Sequence, residues 1–387
     1  MKQTIDQVDV AGKRVLMRVD FNVPIQNGEI TDDRRIQMAL PSIQSVLDRG
    51  GKLTLMSHLG RPKGEGFESQ CSMQPVATRL AELLQRQVHL GDDDASADIV
   101  LLENLRFDAG EKNCDRTFAK KLASLGDIYC NDAFGAAHRS HASMVAVPEA
   151  MEGKPRVAGL LLANELQYLD HAIQHAETPF VAVLGGVKVS DKMNAIKNLL
   201  GKVDTILIGG AMAYTFLVAD GKEVGASLVE RDRIHDARLM LDAVTASSTN
   251  LLFPHDHICA QQIASGTPVQ VATKTIPDGW MGLDIGPETQ AIYTDTLLQA
   301  RTIVWNGPMG VFEIQPFDVG TKRVAQAIAK ATANGAVSIV GGGDSAAAIS
   351  AFDLESQITH ISTGGGASLQ MLEGRSFESV GMLDNAL

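Results

Sequence analysis

Short runs of aliphatic and β-branched residues recur along the chain, each closed by glycine or a polar residue and followed by a stretch of helical periodicity. In the first half they are KRVLMRVD (13–20), KLTLMSHL (52–59), IVLLENL (99–105) and IYCNDA (128–133). The second half has PFVAVLGG (179–186), TILIGG (205–210), NLLFP (250–254), PVQVAT (268–273), TIVWNG (302–307) and AVSIVGGG (336–343). Strands that alternate with amphipathic helices are joined by crossovers, so they lie parallel and are covered on both faces. At 387 residues the chain exceeds one core of ordinary size. We therefore expect an α/β protein of two doubly wound, Rossmann-like parallel-sheet domains. ANELQYLDHAIQHAE (163–177) places Leu166, Leu169 and Ile173 at helical spacing before Thr178 and Pro179 break the pattern. This predicts a joining helix and hinge, with domains at 1–163 and 179–366 and the helix at 164–178.

In open parallel sheets, ligands bind beyond the carboxyl ends of the strands. The first-half ends carry Asp20 and Asn22 (RVDFNVP), His58 and Arg61 (SHLGRP), Arg106 (ENLRFDAGE), and His138 and Arg139 (NDAFGAAHRSHAS). Arg34 and Arg35 open the helical stretch TDDRRIQMALPSI behind Thr31 as a candidate cap. Twelve arginines lie at or before Arg156 and six after it, in a chain of net charge −12. Arginine is a planar fork matched to phosphate and carboxylate. Grouped at strand ends, these residues make a basin for a small, multiply charged anion, with Asp20 and Asn22 placed to bind a hydroxyl.

The second-half ends are glycine-rich instead: Gly185 and Gly186, Gly209 and Gly210, Gly307, residues 341–343 and residues 364–366. A glycine run that opens a helix lets phosphate oxygens reach unpaired backbone N–H groups. Tight chain packing explains any one such turn equally well. In SIVGGGDSAAAISAF (338–352), Asp344 would repel phosphate unless a cation stood between them, and Mg²⁺ takes oxygen ligands while keeping substrate phosphates in its shell. Helix capping is the other role open to Asp344. LGGVKVSDKMNAIKNLL (184–200) spaces Lys188 and Lys192 one turn apart if its helix begins that early. No GxxxxGK[ST], HRD, DFG or dinucleotide GxGxxG pattern is present, so phosphoryl transfer, if it occurs, uses neither common scaffold.

The net charge of −12 argues against nucleic acid as a partner, and no apolar run is long enough for a membrane span. The start of the chain lacks a secretory leader, and Cys71, Cys114, Cys130 and Cys259 are scattered without metal spacing; both point to reduced thiols in the cytoplasm. His171 and His175, four apart, read as a solvated helix face, HDH (255–257) lacks distant ligands, and DDD (92–94) reads as an acidic turn.

RVDFNVP, SHLGRP, ENLRFDAGE, NDAFGAAHRSHAS, GGVKVSDKM, VWNGPMGVFE, VGGGDS and STGGGAS, in this order from residue 18 to residue 368, resemble the successive signatures of the phosphoglycerate kinase family. That resemblance implies two domains facing across a cleft. The N-terminal one would bind 3-phosphoglycerate or 1,3-bisphosphoglycerate through Asp20, Phe21, Asn22, Arg35, His58, Leu59, Gly60, Arg61, Arg106 and Arg139. The C-terminal one would bind MgADP or MgATP through Lys188, Lys192, Asn306, Pro308, Glu313, Gly342, Gly343, Asp344 and Ser345, with Asp344 on the metal. It further implies that a tail from about residue 367 packs back on the first domain, and that the chain is monomeric. Three positions depart from the usual pattern: Val187 stands for a small residue and would tighten its loop, Ser345 for threonine and Gln370 for glutamate. Ser345 keeps the hydroxyl.

A carboxylate acceptor is already ionised at neutral pH, so the implied reaction needs no general base. What remains is to position reactants and neutralise charge on the transferring group, which falls to Arg35, Lys188 and the amides of Gly342 and Gly343. A nicotinamide dehydrogenase shares the alternating pattern but requires the missing dinucleotide fingerprint. A non-catalytic phosphometabolite sensor would not need Arg35 or Lys188, and both are present.

Overall fold

Six parallel strands form the first sheet of the computed structural model, which describes residues 1–91 and 96–386 and, over 170–174, the backbone alone. DDD (92–94) and the side chain of His171 therefore lie outside the described residues. The chain divides by internal contacts into one unit of Met1–Gln167 with Ser376–Leu387, and another of Tyr168–Arg375. Helix Leu160–Gln174 contains the division, and helix Gly365–Leu372 belongs to the second unit.

In the first unit the strand order is His89–Leu90, Ile99–Leu101, Lys52–Met56, Arg14–Val19, Ile128–Asp132, Arg156–Ala158. The central strands bury almost every residue, as continuous apolar runs covered on both faces must. Val15, Met17, Leu53, Leu55, Ile99 and Ile128 pack with Ile36, Ile43 and Val46 of helix Arg34–Asp48. Each such aliphatic side chain withdrawn from water stabilises the unit by roughly 1.5–3 kcal/mol before entropy is counted. From Arg14–Val19 the chain runs outward through Lys52–Met56, then returns to the other side at Ile128–Asp132. The strand order thus reverses between Arg14–Val19 and Ile128–Asp132.

The second unit repeats this plan with Asn250–Leu252, Thr205–Ile208, Phe180–Leu184, Thr302–Asn306, Val337–Gly341 and His360–Ile361, and reverses between Phe180–Leu184 and Thr302–Asn306. Trp305 lies wholly buried at its centre. One run departs from the expected plan. PVQVAT forms strand Gln270–Ala272 of a separate three-stranded antiparallel sheet with His257–Ala260 and Met281–Ile285. Its exposed Val269 and Val271 show why: a strand covered on both faces would not leave them in water.

Several helices begin without a local side-chain cap and borrow a carboxylate from a strand end. Asp256 accepts N–H bonds from Glu288 (3.0 Å) and Thr289 (2.8 Å) at the start of helix Pro287–Gln299. Asp284 accepts from Gly320 at helix Val319–Ala333 (2.6 Å), and Asp132 accepts from Leu162 at helix Leu160–Gln174 (3.1 Å). HDH therefore carries a structural aspartate, and no group of three or more metal-ligating side chains occurs among the described residues. Thr31 is not a cap either. Its hydroxyl turns back to the Pro24 carbonyl, and helix Arg34–Asp48 starts after Asp33. The four cysteines are free, and among the described residues no helix is long and apolar enough to cross a membrane.

Candidate active site

Four neighbouring strands of the first unit bring their carboxyl ends to the point where strand order reverses. Asp20, Phe21 and Asn22 follow Arg14–Val19, while His58, Leu59, Gly60 and Arg61 follow Lys52–Met56. Arg106 sits on the single turn Leu105–Phe107, held by the Asn104 side chain, which accepts its N–H. His138 and Arg139 follow the turn Phe134–Ala136. Arg35, in the first turn of its helix, pairs with Asp20 at 2.6 Å. That pair packs over Gly135, where any Cβ would lie 2.2 Å from Asp20 Oδ2. Asn22 Oδ1 accepts the Gly60 N–H (2.8 Å) and Arg106 Nη1 donates to the Gly60 carbonyl (2.8 Å), which fixes this peptide at φ +63° between them.

The cations of this basin repel one another. Burial, then Arg139 and Arg18, push the pKa of Arg106 down to about 10. Burial likewise lowers that of Arg139; Asp20 opposes the shift, while Arg18, Arg61 and Arg35 add to it. His58 falls well below its ordinary value, chiefly by burial and then by Arg18, Arg106 and Arg139, so it is neutral. Asp20 Oδ1, Arg106 Nε and His138 Nδ1 are buried without a hydrogen-bond partner. A crowd of depressed cations with unsatisfied polar atoms among them is what an anion would relieve. Arg61 is exposed at the rim. Sequence reasoning missed Arg18, wholly buried within its strand, because nothing in RVDFNVP distinguishes an inward from an outward arginine.

The second unit holds a cavity of about 690 Å³ at its own reversal point. Its walls include Gly185, Gly186, Lys188, Lys192, Asn306, Gly307, Gly342, Gly343, Asp344, Ser345, Gly365 and Gly366. Gly342, at φ +94°, leads into helix Gly343–Ala351, and a Cβ at Gly343 would meet nothing within 4 Å, so the helix start is open. Gly209 and Gly210 serve packing instead: a Cβ would strike Met309 and Gly186 respectively, each at 2.4 Å. Asp344 makes no capping bond and is exposed on the first helical turn. Helix Met193–Leu199 begins later than the lysine spacing supposed, so Lys188 and Lys192 do not share a helix face. Lys188 is exposed, and Lys192 is buried against Asn306, to whose Oδ1 its ammonium donates. Desolvation drives the Lys192 pKa down to about 8 against the pull of Asp191, Asp344 and Glu373.

Ser345 is wholly buried, its Oγ accepting the Gly307 N–H at 2.7 Å. Pro308 and Glu313 do not line the cavity: Pro308 is buried with its carbonyl on the Gly186 N–H, and Glu313 is exposed. Val187 is 59% exposed and borders the cavity without filling it. Sequence reasoning missed Asp191, Glu373 and Arg375, the last two paired at 2.8 Å on the cavity wall.

This arrangement can be set beside known proteins. The family model for phosphoglycerate kinase matches residues 5–375. A phosphoglycerate kinase of Rhodopirellula baltica is 56% identical with each chain covered completely, and one of Thermosipho africanus is 50% identical over 99% of this chain and 98% of its own. Among solved structures, phosphoglycerate kinase from Coxiella burnetii matches with a TM-score of 0.90 at 39% identity, covering 99% of this chain and 98% of that one. The Pyrococcus horikoshii enzyme matches with a TM-score of 0.85 at 32% identity over the same shares. With an arginine basin on one unit, a glycine-lined cavity on the other and relatives that match from end to end, the chain belongs to the phosphoglycerate kinase family.

Proposed function

We propose that this chain catalyses reversible phosphoryl transfer between 1,3-bisphosphoglycerate and ADP, giving 3-phosphoglycerate and ATP. The observation that carries this reading is the basin of arginines with lowered pKa values around the unpartnered Asp20 Oδ1 and Arg106 Nε. It suits a ligand with a phosphate, a carboxylate and a hydroxyl: arginine forks for the anions, Asp20 and Asn22 for the hydroxyl. Phe21, Leu59 and Gly60 shape the wall through their backbone. The second unit takes the nucleotide, its phosphates meeting the amides of Gly342 and Gly343 together with Lys188 and Lys192.

Asp344 is free to ligate a cation, and Mg²⁺ with one protein carboxylate and substrate phosphates is a common pattern. The bound ion would neutralise phosphate charge. The chain's own groups do the rest. In the direction of ATP synthesis, an ADP β-phosphate oxygen bonds to the acyl phosphorus. The bond between that phosphorus and the carboxyl oxygen breaks, and its electron pair stays on the carboxylate. No proton moves, so no base is needed. Arg35 spends one Nη1–H on Asp20 and keeps other donors for the transferring group. With Lys188 and the two amides, it neutralises the equatorial oxygens.

Arg35 and Gly342 belong to separate units, so neither unit alone should catalyse. Transfer requires a hinge motion that brings the bound ligands together and excludes water, which would otherwise hydrolyse the acyl phosphate. The test is to supply ATP, magnesium and 3-phosphoglycerate and couple reduction of the acyl phosphate to NADH loss. Oxidation that depends on all three supports the assignment; none, with a competent coupling enzyme, overturns it.

A further inference from the structure

Behind the basin, the first unit buries a chain of polar groups to which the reaction above gives no task. Arg18 and Glu111 are both 0% exposed. Burying a charge without a partner is costly, so both must be accounted for. Ser143 stands between them. Its Oγ accepts from Arg18 Nε at 2.9 Å and donates to Glu111 Oε1 at 2.6 Å, while its N–H donates to Glu111 Oε2 at 2.9 Å. The Ser143 carbonyl accepts the Tyr129 hydroxyl at 2.8 Å, so every polar atom of this serine is engaged. It lies in the π-helical turn Ala142–Ala146, a wide geometry that turns both its amide and its hydroxyl toward Glu111.

At the other end Arg18 Nη1 donates to the Val19 carbonyl, and Nη2 meets His58 Nδ1 at 3.0 Å. A guanidinium donates and never accepts. His58 Nδ1 must therefore present its lone pair, and the ring proton sits on Nε2, which engages no protein group among the described residues. The groups facing the ring are Arg18, Arg106, Arg139 and His141, with Asp20 Oδ1 at 3.8 Å from Nδ1.

We propose that Arg18, fixed by Ser143 and Glu111, is a positioning residue: it holds His58 in the tautomer that offers Nε2–H to bound phosphoglycerate. This rests on the phosphoglycerate reading of the basin. A neutral donor adds a directed hydrogen bond without adding a further cation to arginines that already repel one another.

The decisive measurement is ¹⁵N NMR of the full chain labelled at histidine, without substrate, with His58 assigned from the signals lost in His58→Asn. Nδ1 of the parent should appear unprotonated and Nε2 protonated, unchanged from about pH 8 to about pH 5.5, a range that spans the ordinary histidine value. Arg18→Gln removes the cation and leaves a side chain too short to bring a donor to Nδ1, so the tautomer should become mixed and His58 should begin to titrate nearer that ordinary value. The KM for 3-phosphoglycerate should then fall as pH drops through the titration, with the KM for ATP unmoved. Ser143→Ala keeps both charges and should raise the KM for 3-phosphoglycerate roughly threefold to tenfold, again without touching ATP.

A parent His58 protonated on Nδ1, or titrating near its ordinary value, overturns the proposal, and this result needs no variant to fold. So does an Arg18→Gln protein in which His58 keeps the unmixed Nε2–H tautomer. Because the spectrum is taken without substrate, failure here leaves the kinase reading standing, and a failed coupled assay leaves the tautomer standing.

Discussion

Lys192 offers the sharpest quantitative test of the proposal that the glycine-lined cavity takes the nucleotide. Its ammonium is buried to 9% exposure, and its pKa is pushed down to about 8 from an ordinary 10.5. Folding thus disfavours the charged form. The gap corresponds to a cost of roughly 3 kcal/mol at neutral pH. Between the two values the unfolded chain binds a proton that the folded chain does not, so stability rises with pH there; the cost is complete below about pH 8 and gone above about pH 10.5.

Lys192→Met should lift this cost while removing a donor from Asn306 Oδ1, whose loss takes back about 1 kcal/mol. The net gain is about 2 kcal/mol, or about 4–8 °C in the melting of a unit of this size. Differential scanning calorimetry without nucleotide, repeated from neutral to strongly alkaline pH, reads it. The variant should melt above the parent at neutral pH, and the difference should close as pH rises. On the proposal that the buried cation is kept for phosphate at the expense of stability, added MgADP should raise the parent's Tm and leave the variant's nearly unmoved. A variant that melts below the parent at neutral pH, or a difference that ignores pH, would refute the reasoning.

Arg35→Ala should lower kcat by about 10²–10³-fold with little change in nucleotide affinity, since its cation is assigned to the transferring group; steady-state kinetics with an unchanged kcat removes it from that role. Asp344→Asn should weaken binding of the magnesium nucleotide more than of free nucleotide, and calorimetry that finds equal losses assigns Asp344 no metal. Inorganic sulfate should compete with 3-phosphoglycerate for the arginine basin; activity at limiting substrate that is insensitive to sulfate at matched ionic strength contradicts this.

Strand ends were legible because their signal is local. A twice-covered strand must be continuously apolar, and the residue after it must be whatever the ligand or the turn requires, so Asp20, His58, Arg106, Gly342 and Asp344 drew notice through their shared place after strands, each signal being weak alone. Residues whose role depends on direction were not. Arg18 and Arg61 look alike in sequence, yet one is wholly buried in a strand and the other exposed on a loop. The lysine spacing in GGVKVSDKM misled for a related reason. A four-residue interval carries helical meaning only once the helix has begun, and here it begins at Met193, leaving Lys192 as the residue before it.

The buried aspartates show what local reading cannot reach in principle. Sequence rules seek a helix cap in the residue immediately before the helix, and for helices Pro287–Gln299 and Val319–Ala333 that residue, Gly286 or Asp318, supplies no capping bond. The acceptors arrive from Asp256 and Asp284, more than thirty residues earlier in the chain. Such a carboxylate is desolvated, and burial pushes Asp284 well above, and Asp132 up to about 6 from, the ordinary aspartate value. A side chain held at that cost must have its space kept clear. Any Cβ at Gly159 would fall 2.1 Å from Asp132, one at Gly286 would fall 2.3 Å from Asp256, and one at Gly320 would fall 2.3 Å from Asp284. Each of these glycines is thus paired with an acid elsewhere in the chain. At these positions the bareness of glycine serves a carboxylate within the fold, whereas at Gly343 the same bareness leaves a helix start open, as a phosphate requires.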